Sequence, residues 1–415
     1  MRRRLLFLCH RIPYPPDKGD KIRAWHMLER LAQGWDVDLG CLVDDPADLV
    51  HLPKLRAICD EVVHATTGNR VLAATRALAR VRPGDPLTLG WFHSTELHSW
   101  AGLGLAAGRY DAVFAYSAAM APYALLPTGN AVAPKRVLDL VDVDSEKWAA
   151  YAVGARAPMR QIWQREARTL LAFETRMAAC FDHTILVSQE ERRRFVDLAP
   201  ACADRVGWVD NGVDLARFDP KRHFANPFTG DAARLVFTGT MDYRPNVDAV
   251  TWFATQVMPV LRQSGGPAPT FHIVGANPAP AVRALASLPG VHVTGKVADT
   301  RPYIAHATIA VAPLHIARGI QNKVLEAMAM ARPVIASPQA FEGVRAQRGR
   351  DILVADGVDE TVQAVMQVLR GAHPGLGQAG RDAVLAGHDW SVTLARLDAL
   401  LPPQDAPAPR LDAAA

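Results

Sequence analysis

The chain is expected to fold as an α/β protein built from two doubly wound domains, each a parallel sheet with helices on both faces. Three observations predict this. Short β-branched or apolar runs alternate with stretches of helical spacing along most of the sequence, and alternation of this kind builds a parallel sheet. A strand, a loop and a helix start recur in three places, a turn that points free backbone N–H groups at anions. The length of 415 residues suits two domains of roughly 200 residues each.

The first strand is residues 5–9. Met1-Arg-Arg-Arg4 ahead of it mimics the start of a signal peptide, but the apolar core is short and turns at once into charged, proline-rich sequence. The loop His10-Arg-Ile-Pro-Tyr-Pro-Pro-Asp-Lys-Gly-Asp-Lys21 follows, then Ile22, Trp25, Leu28 and Leu31 mark a helix that Asp20 is placed to cap. This loop, with Lys18 and Gly19, is either an anion-binding turn or a proline-stiffened surface loop. Further strands are expected at 37–43, 111–116, 136–141, 183–188 and 205–209, with helical stretches between most of them. Residues 69–82, NRVLAATRALARVR, mix apolar and arginine positions as a basic amphipathic segment does, suited to an anionic membrane or to a solvated domain helix. Asp142-Val-Asp144 ends a strand. Two such carboxylates can share a hard cation, but VDVDSEKW also reads as a loop in which Asp142 or Asp144 meets an acceptor hydroxyl and Ser145 caps the next helix.

Asp210-Asn-Gly-Val-Asp214 is a turn before a proline-marked stretch. The second half opens with a strand at 234–240, a loop from Gly239 through Arg244 to Asn246, and a helix from about Val247. Strands at 270–275 and Val291–Gly295 end in glycine. The organising stretch is 309–337, IAVAPLHIARGIQNKVLEAMAMARPVIAS. Ile309–Ala312 and Val334–Ala336 are strands, and Val324, Ala327, Met328 and Ala331 recur at helical spacing between them. Asn322 is expected to cap this helix, Lys323 to begin it and Arg332-Pro333 to stop it. Arg318 and Lys323 bring positive charge to its start, and Glu326 one turn on can accept two ribose hydroxyls. Phosphate followed by sugar is the order of a nucleoside diphosphate. Asp389-Trp-Ser391 is expected to cap a last helix through Leu401, and the Pro- and Ala-rich residues 402–415 to be disordered.

Composition bounds the function. Apolar residues make up 49% of the chain and charged residues 21%, ordinary globular usage. A net charge of +4 does not call for nucleic acid, though it suits an anionic substrate or membrane face. Five cysteines without a CxxC pair suit a reducing cytoplasm. No window approaches the roughly 20 apolar residues that span a bilayer, so any membrane contact is expected to be peripheral.

The segment Leu325, Glu326, Ala327, Met328, Ala329, Pro333, Val334, Ile335, Ala336 and Ser337 resembles the signature of family 4 type glycosyltransferases of the GT-B fold. The opening CHRIPYPPDKGDKIRAWHML resembles sugar transferases associated with PEP-CTERM/exosortase exopolysaccharide systems, a subgroup of that family. The resemblance implies two Rossmann-like domains facing a central cleft. The N-G-V-D turn would mark the crossing between them, giving an acceptor-side domain at 1–212, a nucleotide-sugar domain at 213–388, a helix at 389–401 returning to the first domain and a tail at 402–415. It also implies a retaining transfer from a nucleotide sugar to a carbohydrate acceptor, lipid-linked, with no metal or other cofactor and no nucleic-acid partner, in the cytoplasm or at the inner face of the membrane. Catalytic roles would fall to Arg318, Lys323, Asp142 and Asp144. Donor contacts would come from Glu326, Asn322, Gly319, Arg244, Gly239, Gly19 and Lys18, with Gly295 and Val297 at the base. Arg318 stands where the family carries a second glutamate, Ala331 where it carries glycine, and Asn246 near an expected lysine. A nucleotide-sugar epimerase and a non-catalytic sugar-nucleotide binder are the competing readings.

Overall fold

The computed structural model describes residues 2–67, 82, 84–265, 268–317 and 319–403. Arg318, the basic stretch 69–82 except Arg82, and the tail 404–415 lie outside the described residues. The chain divides into two compact units, Met1–Asp210 with Leu394–Ala415, and Asn211–Thr393.

The first unit is built on seven parallel strands: β1 (Arg4–Cys9), β2 (Asp36–Val43), β3 (Glu61–Thr66), β4 (Ala112–Tyr116), β5 (Lys135–Val141), β6 (His183–Leu186) and β7 (Val206–Trp208). Their order is β3-β2-β1-β4-β5-β6-β7, so the topology reverses between β1 and β4. Leu5, Leu6, Phe7 and Leu8 are all fully buried, because a strand with helices on both faces has no side to offer water. Phe7 stacks on Phe114 of the next strand at 5.0 Å.

The first helix, Gly19–Leu31, starts one residue before the expected cap. Lys18 holds the N-cap position, and Asp20 lies inside the first turn, where it accepts from the Lys21 N–H and pairs with Arg11 instead of capping. Arg23 of this helix is buried. Its guanidinium takes both oxygens of buried Asp139 on β5, at 2.8 and 3.3 Å, and the Val209 carbonyl at 2.7 Å. Ser145 is not a cap either: the helix Asp144–Ala152 has Val143 at its N-cap, and buried Ser145 donates to Glu174 at 2.6 Å. At the C-terminal end, Asp389 Oδ1 accepts from the Ser391 N–H, and the expected single helix is two short ones, Trp390–Thr393 and Ala395–Leu400. The second belongs with the first unit through Arg30 to Asp398 at 2.6 Å and the Trp35 indole to the Leu401 carbonyl at 3.3 Å.

The second unit has six parallel strands: β8 (Arg234–Thr238), β9 (Thr270–Val274), β10 (Val291–Gly295), β11 (Ile309–Ala312), β12 (Val334–Ala336) and β13 (Leu353–Val354). The order β10-β9-β8-β11-β12-β13 places the topological reversal between β8 and β11. Helix Arg244–Trp252 follows β8 and begins three residues before the expected Val247, with Pro245 in its first turn, where a missing N–H costs nothing. Helix Asn322–Ala329 follows β11. Gln321, not Asn322, holds its N-cap position, and Asn322 is its first residue. The helix also stops before Arg332-Pro333: Met330 is its C-cap, and Ala331 turns left-handed at φ +52°.

Candidate active site

In open parallel sheets a ligand sits beyond the carboxyl ends of the strands where the strand order reverses. In the second unit that point lies between the loops after β8 and β11. The loop after β8 needs glycine because two backbones meet there. A Cβ on Gly275 would stand 1.7 Å from the Gly239 carbonyl oxygen, and one on Gly239 would stand 2.7 Å from Asn246 Nδ2. Asn246, 4% exposed, is therefore held between loop and helix. Its Nδ2 donates to the Thr240 carbonyl at 2.9 Å, which leaves Oδ1 to accept from Lys323 Nζ at 2.8 Å.

Lys323 thus reaches from the start of the Asn322–Ala329 helix to the neighbouring loop, with Nζ 4.7 Å from the centre of the Phe237 ring. No described side chain caps this helix; the Val324 and Leu325 N–H groups donate to the Gln321 carbonyl, and those of Asn322 and Lys323 have no partner among the described residues, so they and the positive dipole end mark its start. Burial drives the Lys323 pKa down to about 8, against the pull of Glu326. Burial pushes the Glu326 carboxyl up to about 7, opposed by the charges of Arg217 and Lys323. Both groups are half-buried, and each is ready to gain from a ligand that replaces lost hydration. Asn322 Oδ1 accepts from Asn211 Nδ2 at 3.3 Å. Asn211 is in turn fixed through its carbonyl by buried His388, whose Nε2 accepts from the Arg345 N–H at 2.9 Å while Nδ1 lies 3.1 Å from that carbonyl.

The other expected donor residues are distributed as follows. Arg244 is exposed at the start of its helix and pairs with Asp248 at 3.5 Å. Gly319 and Gly295 take φ +61° and +69°, which favour glycine. Val297 packs against Val236, Val274 and Ala307. Arg318 lies outside the described residues.

In the first unit the reversal falls between β1 and β4, and the strand ends there are polar. Past β1, His10 Nε2 lies 3.6 Å from Asp20, and Arg11 pairs with Asp20 and, at 2.9 Å, with Asp44. Burial raises the Asp20 pKa, but the His10 hydrogen bond and the Arg11 charge outweigh it and hold the carboxyl well below the usual range. Lys18 gives its carbonyl to the Ile22 N–H, and Gly19 is exposed beside it. Ser117, next after β4, has φ +80° and a buried Oγ with no partner among the described residues. Val141, the last residue of β5, has φ +68°, and its N–H donates to Asp139 at 2.9 Å. A β-branched residue there stores strain of about 1–3 kcal/mol, the kind that gathers at functional sites. Asp142 follows with a buried Oδ1 that also has no partner among the described residues. Burial, then the nearby charges of Glu191 and Asp144, push its pKa up to about 7. Asp144 instead pairs with Lys147 at 3.5 Å.

The structure therefore brings Lys323, Glu326, Asn322 and the Gly239 loop together in the second unit, and Lys18 with Gly19 and Asp142 with Asp144 to strand ends of the first. Sequence reading did not single out Ser117, Asn211, Arg217, or Asn246 as the partner of Lys323. The N-G in Asp210-Asn-Gly signalled a turn, but nothing local signalled that Asn211 touches a helix 111 residues away.

Residues 232–371 match a family profile described as Glycosyl transferases group 1. A comparison with curated proteins finds no match. Among solved structures, sucrose-phosphate synthase (tll1590) from Thermosynechococcus elongatus superposes with a TM-score of 0.72 at 18% identity, over 96% of this chain and 98% of that one. Anabaena Alr3699/HepE in complex with UDP and glucose gives 0.66 at 14% identity, over 96% and 99% of the two chains. WaaG, a glycosyltransferase involved in lipopolysaccharide biosynthesis, gives 0.63 at 14% identity, over 96% and 100%. The two parallel sheets have the GT-B fold.

Proposed function

We propose that this GT-B glycosyltransferase is of the family 4 type and moves a sugar, with retention of configuration, from a nucleoside diphosphate donor to a carbohydrate acceptor carried on a lipid, in bacterial exopolysaccharide assembly. The observation that carries the donor side is Lys323. It is half-buried, fixed by Asn246 above Phe237, and stands one turn before Glu326 at a helix start that no described side chain caps. In this reading the diphosphate meets Lys323 and the first-turn N–H groups, and the ribose hydroxyls donate to Glu326. When the bond from the sugar C1 to the diphosphate oxygen breaks, negative charge grows on that oxygen, and fixed donors stabilise it without reorganising. The acceptor hydroxyl forms the new bond to C1 and its proton leaves with the diphosphate. Asp142 and Ser117 are the acceptor contacts in this reading, because each carries a buried polar oxygen with no partner among the described residues, for which a sugar hydroxyl would be the partner.

Positive charge at the diphosphate comes from the protein itself, so the reaction is read as independent of a metal ion. The neighbour bound to UDP and glucose supports a uridine diphosphate sugar as the first donor to try. The contact with the acceptor's lipid is read as peripheral, at an anionic membrane.

The test is incubation of the full chain with labelled UDP-glucose and a panel of other nucleotide sugars, with and without a bacterial lipid-linked saccharide extract, in excess chelator. Label moving to the lipid fraction only when extract is present is the expected outcome. An altered free donor formed without acceptor would indicate an epimerase, an unchanged donor that still binds would indicate a sensor, and activity restored by Mn²⁺ would refute metal independence.

A further inference from the structure

The helix Met159–Cys180 carries an inward stripe at spacings of three and four: Met159, Ile162 and Trp163, then Glu166, Leu170, Phe173 and Met177. From Glu166 onward the stripe is buried in the first unit. Its first two turns are not, since Met159 is 42% and Ile162 39% exposed, and Val153 just before the helix is 78% exposed. Half-buried Trp163 on the same helix joins a ladder of rings spaced 5.9 Å apart with buried Tyr151 and with Trp148, which packs against the core and leaves part of its ring exposed. The stretch from Lys147 to Arg165 holds no acidic residue and four basic ones, Lys147, Arg156, Arg160 and Arg165. Arg165 is tied inward to the Asp85 carbonyl at 3.0 Å, whereas Arg156 and Arg160 are exposed and have no acidic partner among the described residues.

We infer that this face is a docking surface for an anionic lipid bilayer. The inference rests on the peripheral-membrane part of the reading above and gives that contact a place. Exposed aliphatic side chains on one helix face, tryptophans at its border and arginines around them are the parts of a helix that lies in the headgroup boundary. Charge decides the occupant. A second copy related by two-fold symmetry would bring Arg156 and Arg160 toward their own copies, while anionic headgroups complement them. No described helix is long and apolar enough to cross a membrane, so insertion ends with these side chains.

The experiment is co-sedimentation of the full chain with vesicles of phosphatidylcholine alone or with one-third phosphatidylglycerol. Binding is expected only to the anionic vesicles and should weaken with added salt. Arg156→Gln with Arg160→Gln should lower partitioning about 30-fold, since each basic residue near such a surface contributes roughly fivefold. Met159→Asp with Ile162→Asp should abolish it, with the melting temperature and calorimetric nucleotide binding unchanged. Equal binding of the wild type to both vesicle types would overturn the inference, as would undiminished binding of the aspartate variant. Two further results would count against it: a dimer in sedimentation velocity that the aspartate variant dissolves, or a loss of more than about 4 °C in that variant, which would show that protein covers the face. Nucleotide binding that fails in the wild type would sink the donor reading and leave this one standing.

Discussion

Lys323→Met separates two effects that a purely structural lysine would combine. In the ligand-free protein the ammonium is held where burial lowers its pKa from an ordinary 10.5 to about 8, a fall that corresponds to roughly 3 kcal/mol against the charged form. Methionine keeps much of the apolar stem over Phe237 and removes that cost, but it leaves Asn246 Oδ1 without its donor, a loss of about 1–2 kcal/mol. After a discount for the part of the side chain that water screens, the ligand-free variant should be as stable as the parent or about 1 kcal/mol more stable, a gain of about 2–4 °C at most. Donor binding should move the other way. A unit charge about 4 Å from a phosphate oxygen at a protein surface gains roughly 4 kcal/mol before screening, so a net loss of about 2–3 kcal/mol, or 30- to 150-fold in Kd for a nucleoside diphosphate, is expected. Thermal melting with and without nucleotide reads both effects, and calorimetry reads the second alone. A variant that melts several degrees lower yet keeps nucleotide affinity would refute the reasoning and return Lys323 to the scaffold.

Nucleotide affinity should peak between about pH 7 and 8, rising as Glu326 ionises through about 7 and falling as Lys323 deprotonates through about 8, and Glu326→Gln should erase the acid limb of a calorimetric pH series. For stability the signs differ. Glu326 binds a proton more tightly when folded, so its contribution falls as pH rises from 4.5 to about 7, whereas Lys323 binds its proton less tightly when folded, so stability recovers from about 8 to 10.5. Ala331→Gly should raise unfolding stability by about 1 kcal/mol in a denaturant titration, because alanine stands at φ +52°. Gly275→Ala should cost several kcal/mol and lose nucleotide binding together, since the new methyl would lie 1.7 Å from the Gly239 oxygen; a soluble variant with parental affinity would show that the loop is not built around this approach.

The sheets were legible because strands buried on both faces read as unbroken apolar runs, as in Leu5 to Leu8 and Ile309 to Ala312. The edge strands β3 and β13 escaped. Glu61-Val-Val-His-Ala-Thr66 is mostly half-buried and carries a weaker pattern, and β13 is two residues long. Three expected caps failed because the side chain is engaged elsewhere, Asp20 by Arg11, Ser145 by Glu174 and Asn322 by Asn211, and the helix expected from Val247 starts earlier because Pro245 fits its first turn. In the candidate site, Lys323 and Glu326 stand out as candidates from their place at a helix start. Asn246 could not be named as the partner of Lys323, because that contact joins residues 77 apart across the reversal in strand order. The left-handed Ser117 and Val141 had no signature at all, since neither residue type advertises such a backbone.

The central claim, that a nucleoside diphosphate binds at the strand-order reversal of the second unit with its ribose on Glu326, is tested most directly by calorimetric titration of uridine and guanosine diphosphates into the full chain and into Glu326→Ala, in chelator. The account predicts one site per chain for at least one of these nucleotides, weakened about tenfold or more in the variant, as loss of a charge-assisted hydrogen-bond acceptor requires. Binding of the same strength to both proteins would contradict it.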